Sequence, residues 1–301
     1  MRAPLILGLL LGLTVAHTPC VETENPNRRL TVFGERHSGT NFLEEVISQN
    51  LDVEVCFPHG WKHWWLNDSA TIKQGLQGDP TLAVVIIIRN PIAWLLSMHT
   101  RPFHATGASL SFNGFLHIRP FRSTCKALGG AKGQRVCELA KDVFEVRATK
   151  VREMLAVSYW HPRTVVMHYE ALVEDQGREI RRVAQELNLE WRRAFTPILT
   201  KVPPVGRSHL KFHPATETEM NEKTMKAFTE RGGSHGRRYV CEHLLMAEEE
   251  AAGYGSAIRE MCEGTGFPAP RVPGAPVAVA GIPAWQSPGL MSGVALSKPG
   301  G

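Results

Sequence analysis

The sequence contains no Cys-x-x-Cys pair, no internal repeat and no apolar stretch long enough to span a bilayer. It also lacks a strong charge of either sign. Lys and Arg total 34 against 29 Asp and Glu, for a formal net charge of +5. That excess is too small and too dispersed for a nucleic-acid face, yet compatible with a small anionic ligand. Its 13 histidines suggest no metal site, and His99, His104 and His117 are too irregularly spaced to form one. Charged residues at 21% and hydrophobic residues at 43% exclude wholesale disorder. A chain of 301 residues accommodates one large α/β domain or two small ones, with a core that does not depend on disulfides.

What is present begins at the N-terminus. Met1-Arg2 precedes an apolar run, Ala3 to Ala16, that closes on Thr14-Val15-Ala16. As a helix it would span about 21 Å, short of a hydrocarbon core of about 30 Å. Residues 1–16 therefore read as a secretory signal, or as a short Golgi-type membrane anchor if retained. The six cysteines (Cys20, Cys56, Cys125, Cys137, Cys241 and Cys262) then form an oxidised, even set. Six allow 15 pairings, among which Cys125 with Cys137 and Cys241 with Cys262 are the local ones. Asn67-Asp68-Ser69 is a glycosylation sequon consistent with that compartment. From Phe267 to Gly301 the chain is rich in Pro, Gly, Ala and Val without a period, a disordered tail. One folded domain, residues 28–266, is left.

Within it, Leu30–Phe33 and Val53–Phe57 read as short strands. Leu82–Ile88 is continuously apolar, the pattern of a parallel strand covered on both faces. Helical spacing follows at Phe42, Leu43, Val46 and Ile47, again from Pro91, and over a long stretch from Cys137 to Tyr159. Thr164–Met167 is a further strand, and Ile180, Val183, Ala184 and Leu187 mark the helix after it. Alternating strands and helices imply an α/β layered fold with a central, mostly parallel sheet.

Gly34-Glu35-Arg36-His37-Ser38-Gly39-Thr40-Asn41 lies between the first strand and the first helix. Two glycines with four residues between them let backbone N–H groups converge, and the helix adds its positive end: a cradle for phosphate or sulfate. A nucleoside-triphosphate loop would continue with Lys and a hydroxyl for Mg²⁺, where this chain has Thr40 and Asn41. Arg89 stands at the carboxyl end of the strongest strand, and Ser97 two turns along the next helix. A guanidinium and a hydroxyl at that spacing can hold a further phosphate.

These segments resemble the PAPS-dependent sulfotransferases. Arg36-His37-Ser38-Gly39-Thr40-Asn41-Phe42-Leu43 is similar to that family's 5′-phosphosulfate loop. Arg89-Asn90-Pro91 with Ser97 is similar to its 3′-phosphate motif. Val165 to Val173 is similar to its strand-end Tyr-Glu-Asp-Leu segment, whose Tyr, here Tyr169, contacts the adenine side. The resemblance implies a three-layer fold like that of P-loop NTPases and 3′-phosphoadenosine 5′-phosphosulfate as co-substrate, without metal. The family's loop cation falls on His37 and its second Thr on Asn41, and Arg36, one place earlier, is the nearest substitute cation. The family's late 3′-phosphate segment has no clean match; Arg231-Gly232-Gly233 and Arg237-Arg238 are its nearest counterparts.

Sulfonyl transfer needs a cradle for the leaving phosphate, cations on the transferred group and a base for the acceptor proton. In Cys56-Phe57-Pro58-His59-Gly60-Trp61-Lys62-His63-Trp64-Trp65, Lys62-His63 is the closest match to the family's Lys-x-His, with His63 as base, Lys62 near the transferred group and His59 as second choice. Trp61, Trp64 and Trp65 form either an acceptor platform or core. The stretch after Ser97 through Gly130 reads as a loop on the acceptor side. The acceptor is then a hydroxyl or amine of a glycan, peptide or lipid in the secretory pathway, secreted or in the Golgi lumen. A P-loop kinase or other NTPase, and a secreted nucleotide-binding protein without catalysis, are the alternative readings.

Overall fold

The computed structural model describes residue 20 and residues 26–64, 66–102, 105, 110–126, 134–201, 210–211 and 215–263. The apolar run of residues 1–16 and the tail from residue 267 lie outside them. In chain order the elements are β1 (Arg29–Phe33), α1 (Thr40–Asn50), β2 (Glu54–Val55), α2 (Ser69–Gln77), β3 (Ala83–Ile88), α3 (Pro91–Thr100), α4 (Phe112–Leu116), β4 (Phe121–Lys126), β5 (Gln134–Ala140) and α5 (Val143–Trp160). They continue with β6 (Thr164–His168), α6 (Tyr169–Glu174), α7 (Gln176–Leu187), β7 (Thr200–Lys201), β8 (Leu210–Lys211), α8 (Glu217–His243), α9 (Met246–Ala251) and α10 (Gly255–Glu263).

The central sheet is parallel, in the order β2-β1-β3-β6. Every residue of β3 is buried, as its unbroken apolar run requires of a strand covered on both faces. On one face Leu30, Val32, Val85 and Ile87 pack with Leu43 and Val46 of α1 and Ile180 and Val183 of α7. On the other, Val84 and Ile86 pack with Ile72 and Leu76 of α2 and Met154 and Leu155 of α5. Helices thus cover both faces, the layered α/β arrangement expected from the alternation of elements. A third cluster, around Trp94, Phe112, Phe115, Phe228 and Val240, joins α3 and α4 to α8.

Two expectations are corrected. The long helix from Cys137 to Tyr159 is in fact a strand followed by a helix. Cys137 to Ala140 belong to β5, which pairs antiparallel with β4. Helix α5 starts only at Val143, because the Asp142 carboxylate accepts hydrogen bonds from the backbone N–H groups of Phe144 and Glu145 and sets the N-terminus there. The loop expected after Ser97 is also more ordered than its composition implied: α4 and β4 lie within it, with Phe112, Phe115 and Phe121 in the core.

Cys20–Cys56 and Cys241–Cys262 are disulfides, the second as expected. Cys137 is disulfide-bonded as well, while the side chain of Cys125 lies outside the described residues. Oxidised cysteines fit a secreted or lumenal compartment. Among the described residues no helix is long and apolar enough to cross a membrane.

Because Asp142 both caps α5 and pairs with the exposed Arg119, Asp142→Ala is expected to lower stability by about 1 kcal/mol. A shift of the urea unfolding midpoint at unchanged slope measures it.

Candidate functional site

The Gly34–Asn41 turn stands at the carboxyl end of β1, beside the end of β3. A Cβ on Gly34 would lie 2.5 Å from Ser38 Oγ and 2.7 Å from the Ile87 carbonyl, so only glycine fits where the turn folds back on β3. Glu35 O accepts from both Ser38 N (3.0 Å) and Ser38 Oγ (2.5 Å). Gly39 has φ 97°, and a Cβ there would sit 2.3 Å from the Tyr169 ring. Gly39 caps α1 without a side-chain bond to the helix's first N–H groups, the arrangement in which a helix N-terminus receives an anion. Thr40 is buried and Asn41 exposed at the start of α1.

Arg89 follows the last residue of β3. Its Nη1 donates to the His37 carbonyl (2.9 Å) and to Ser97 Oγ (3.2 Å). Its guanidinium lies 4.7 Å from the centre of the Tyr169 ring, and its buried Nε has no hydrogen-bond partner among the described residues. The turn, the β3–α3 corner and the β6–α6 corner, recognised separately in the sequence, thus meet at His37, Gly39, Arg89, Ser97 and Tyr169. Burial, reinforced by Glu170, raises the Tyr169 pKa despite Arg89 and keeps the phenol protonated.

The support beneath this site went largely unread in the sequence. The Asn90 side chain caps α3 by accepting from Ile92 N and Ala93 N. The Glu170 carboxylate accepts from Asn90 N (3.1 Å) and the Tyr254 hydroxyl (2.7 Å). Arg147, ion-paired with Glu249 at 2.5 Å, donates to the Arg89 carbonyl (2.9 Å). A signal did exist: Val143, Val146, Arg147, Lys150 and Met154 share the inward spacing of α5, so two charges interrupt an apolar stripe.

Lys62 Nζ contacts Glu44 Oε1 and Oε2 (2.9 and 3.0 Å) and Asn41 Oδ1 (2.5 Å), which places a cation at the corner of turn and helix. Burial raises the Glu44 pKa although Lys62 opposes it. His63 Nδ1 lies 2.9 Å from the Gly34 carbonyl, and its ring meets Trp61 edge-on at 4.5 Å. Burial pushes the His63 pKa down to about 3 against the favourable Gly34 contact. The ring is therefore neutral; with Nδ1–H donated to Gly34, the tautomer inferred from that contact, Nε2 keeps its lone pair.

The remaining expectations separate. His59 reaches Asp79 Oδ2 (3.4 Å), and Asp79 pairs with Arg29, the first residue of β1; His59 is thereby at the amino end of the sheet, away from the turn. Arg36 does not replace the loop cation: it is 1% exposed and turns inward to Glu35, Glu138 and Ser123. His37 Nε2 contacts the Arg101 carbonyl (2.5 Å), and burial lowers its pKa to about 4, so it adds no charge at neutral pH. Trp64 is core, edge-on to Phe33 and bonded to Ser69, whereas Trp61 borders His63. Trp65 and His104 lie outside the described residues. His99 packs on Phe112 and His117 stacks on Tyr239. Arg231 bonds Thr100 Oγ1 (2.8 Å), one turn beyond Ser97, while Arg237 bonds the Met261 carbonyl. Among the described residues no group of three or more His, Cys, Asp or Glu could hold a metal.

No family model and no curated protein matches the chain.

The two neutral histidines set an acid sensitivity. Their folded pKa values of about 4 and about 3 lie below an unfolded value near 6.5. The unfolded chain thus binds more protons as pH falls below about 6.5, and the stabilisation present above that pH is lost progressively toward the folded values. Calorimetry should give a lower Tm at about pH 5 than at about pH 7.5, and His63→Gln should narrow the difference.

Proposed function

We propose that this chain is a sulfotransferase that moves a sulfonate from 3′-phosphoadenosine 5′-phosphosulfate to an acceptor hydroxyl or amine. The observation that carries the reading is the meeting of Arg89, Ser97 and Tyr169 at the Gly39 turn. A doubly anionic nucleotide suits the donors present: the open N–H groups of α1, the guanidinium with its unpartnered Nε, and a hydroxyl. The fold is read accordingly as P-loop-like, with the turn holding the 5′-phosphosulfate and Arg89 with Ser97 the 3′-phosphate.

In this reading Tyr169 lies along the adenine side and Lys62 supplies the cation that neither Arg36 nor His37 provides. His63 Nε2 takes the acceptor proton as the acceptor oxygen or nitrogen bonds sulfur. The S–O bond to phosphate breaks with its electron pair leaving on the phosphate, where the α1 N-terminus offsets the charge. The acceptor is proposed to be a glycan, peptide or lipid met in the secretory pathway, in keeping with the disulfides.

A second reading, a nucleotide-binding protein without transfer, is favoured by one observation: both loop side chains at the cation position and before it are withdrawn, Arg36 into the interior and His37 as a neutral ring. The two part on turnover.

Titration calorimetry with 3′,5′-ADP is expected to show binding that Arg89→Ala weakens by about 100-fold or more. His63→Ala should keep that binding and remove transfer of labelled sulfonate to a panel of glycan, tyrosyl-peptide and lipid acceptors. Binding without transfer to any acceptor supports the second reading, and Mg²⁺-dependent ATP hydrolysis without 3′,5′-ADP binding overturns both.

A further inference from the structure

Four ionised side chains lie buried directly beneath the turn. Glu35 and Arg36 come from the turn itself, Lys150 from α5 and Glu138 from β5; Lys150 and Glu138 are 0% exposed. Arg36 contacts Glu35 Oε1 (2.8 Å), Glu138 Oε2 (2.5 Å) and Ser123 Oγ (2.8 Å). Lys150 pairs with Glu35 Oε2 (2.5 Å) and with Glu138, and donates to the His63 carbonyl (3.0 Å). The two basic and two acidic groups balance, and although burial alone would raise the Glu35 pKa, Lys150 and Arg36 beside it bring it down to about 2.

Such a set is a poor way to gain stability, because well-packed apolar residues of the same volume often do as well or better. What it achieves is a geometric link. Glu138 and Lys150 join three segments that no continuous strand or helix connects: the turn, the β4–β5 hairpin and the segment carrying Lys62 and His63. Gly34 holds that segment on one side, through Lys62 O and His63 Nδ1, with Lys62 Nζ also on Glu44 and Asn41; Lys150 holds it on the other, through the His63 carbonyl.

We propose that Lys150 and Glu138 are positioning residues that hold the His63 segment at a set distance from the anion-binding turn. This deepens the sulfotransferase reading and rests on it for the identity of the bound anion. The pair touches no ligand; it acts through the His63 carbonyl and through Arg36. The hairpin is on this account part of the site, the base that holds Lys150 against the His63 segment.

The test removes one cation and one anion together. Lys150→Met with Glu138→Leu leaves the Glu35–Arg36 pair and the charge balance intact. The double variant is expected to keep its Tm and to bind 3′,5′-ADP within about threefold of the wild type. Its backbone amides over residues 61–64 should exchange hydrogen at least about tenfold faster, while those of residues 34–41 stay unchanged. In the wild type 3′,5′-ADP should slow exchange in both segments, and in the double variant only in residues 34–41. Unchanged exchange at 61–64 overturns the proposal, as does equal loosening of both segments, which would mark a merely structural role. If the double variant does not fold, isosteric Glu138→Gln carries the same comparison. Failure of the wild type to bind 3′,5′-ADP would refute the sulfotransferase reading alone, since the exchange comparison without nucleotide still decides the positioning role.

Discussion

The guanidinium of Arg89 touches the His37 carbonyl, the Ser97 hydroxyl and the face of Tyr169, so one side chain brings together a turn and two strand ends that lie far apart in sequence. It can do so only because its own backbone is immobilised. Strand β3 is buried along its whole length, and Arg147 grips the Arg89 carbonyl from α5. Asn90 begins the next helix under a hydrogen bond to Glu170. A cation at the edge of a rigid sheet keeps its direction, which a loop cation would not. The left-handed Gly39 belongs to the same constraint, since Tyr169 occupies the space that any Cβ there would need.

Desolvation governs the chemistry of the neighbouring groups. It keeps His37 and His63 neutral, and it would neutralise Glu35 too were Lys150 and Arg36 not beside it; with them its pKa falls to about 2. The positive charge beside the turn lies on Arg89 and on Lys62, the latter paired with Glu44, while the charges beneath the turn balance. A field of that shape would favour an anion at the mouth of the turn, with N–H donors further in.

The strands of the sheet and the position of each motif at a strand end were legible in the sequence because each depends on local pattern. Leu82–Ile88 can be buried only as a central strand, and glycines bracketing a strand-to-helix turn announce the cradle. Arg36 and the β5 strand were not legible, for a shared reason. Residues 134–140 carry Arg135, Glu138 and a cysteine, and only pairing with β4 makes a strand of them. Arg36 points inward between Glu35, its neighbour, and Glu138, 102 residues away, and the second partner carries no local signal. Interactions of that range leave no period in the chain. His59 and His63 were inseparable by residue type, and the structure separates them by the carbonyl or carboxylate that each one meets.

The Cys20–Cys56 bridge spans 36 residues, and β1, the Gly34–Asn41 turn, α1 and β2 all fall between its ends. The turn is therefore carried on a closed covalent ring, one that ties residue 20 to the rim of the sheet where β2 is only two residues long. Closing a ring of that length removes about 4 kcal/mol of entropy from the unfolded chain in the loop-closure account. Synthesis in a reducing compartment would forfeit that contribution in the segment that carries the turn, coupling the redox history of the chain to the turn's integrity.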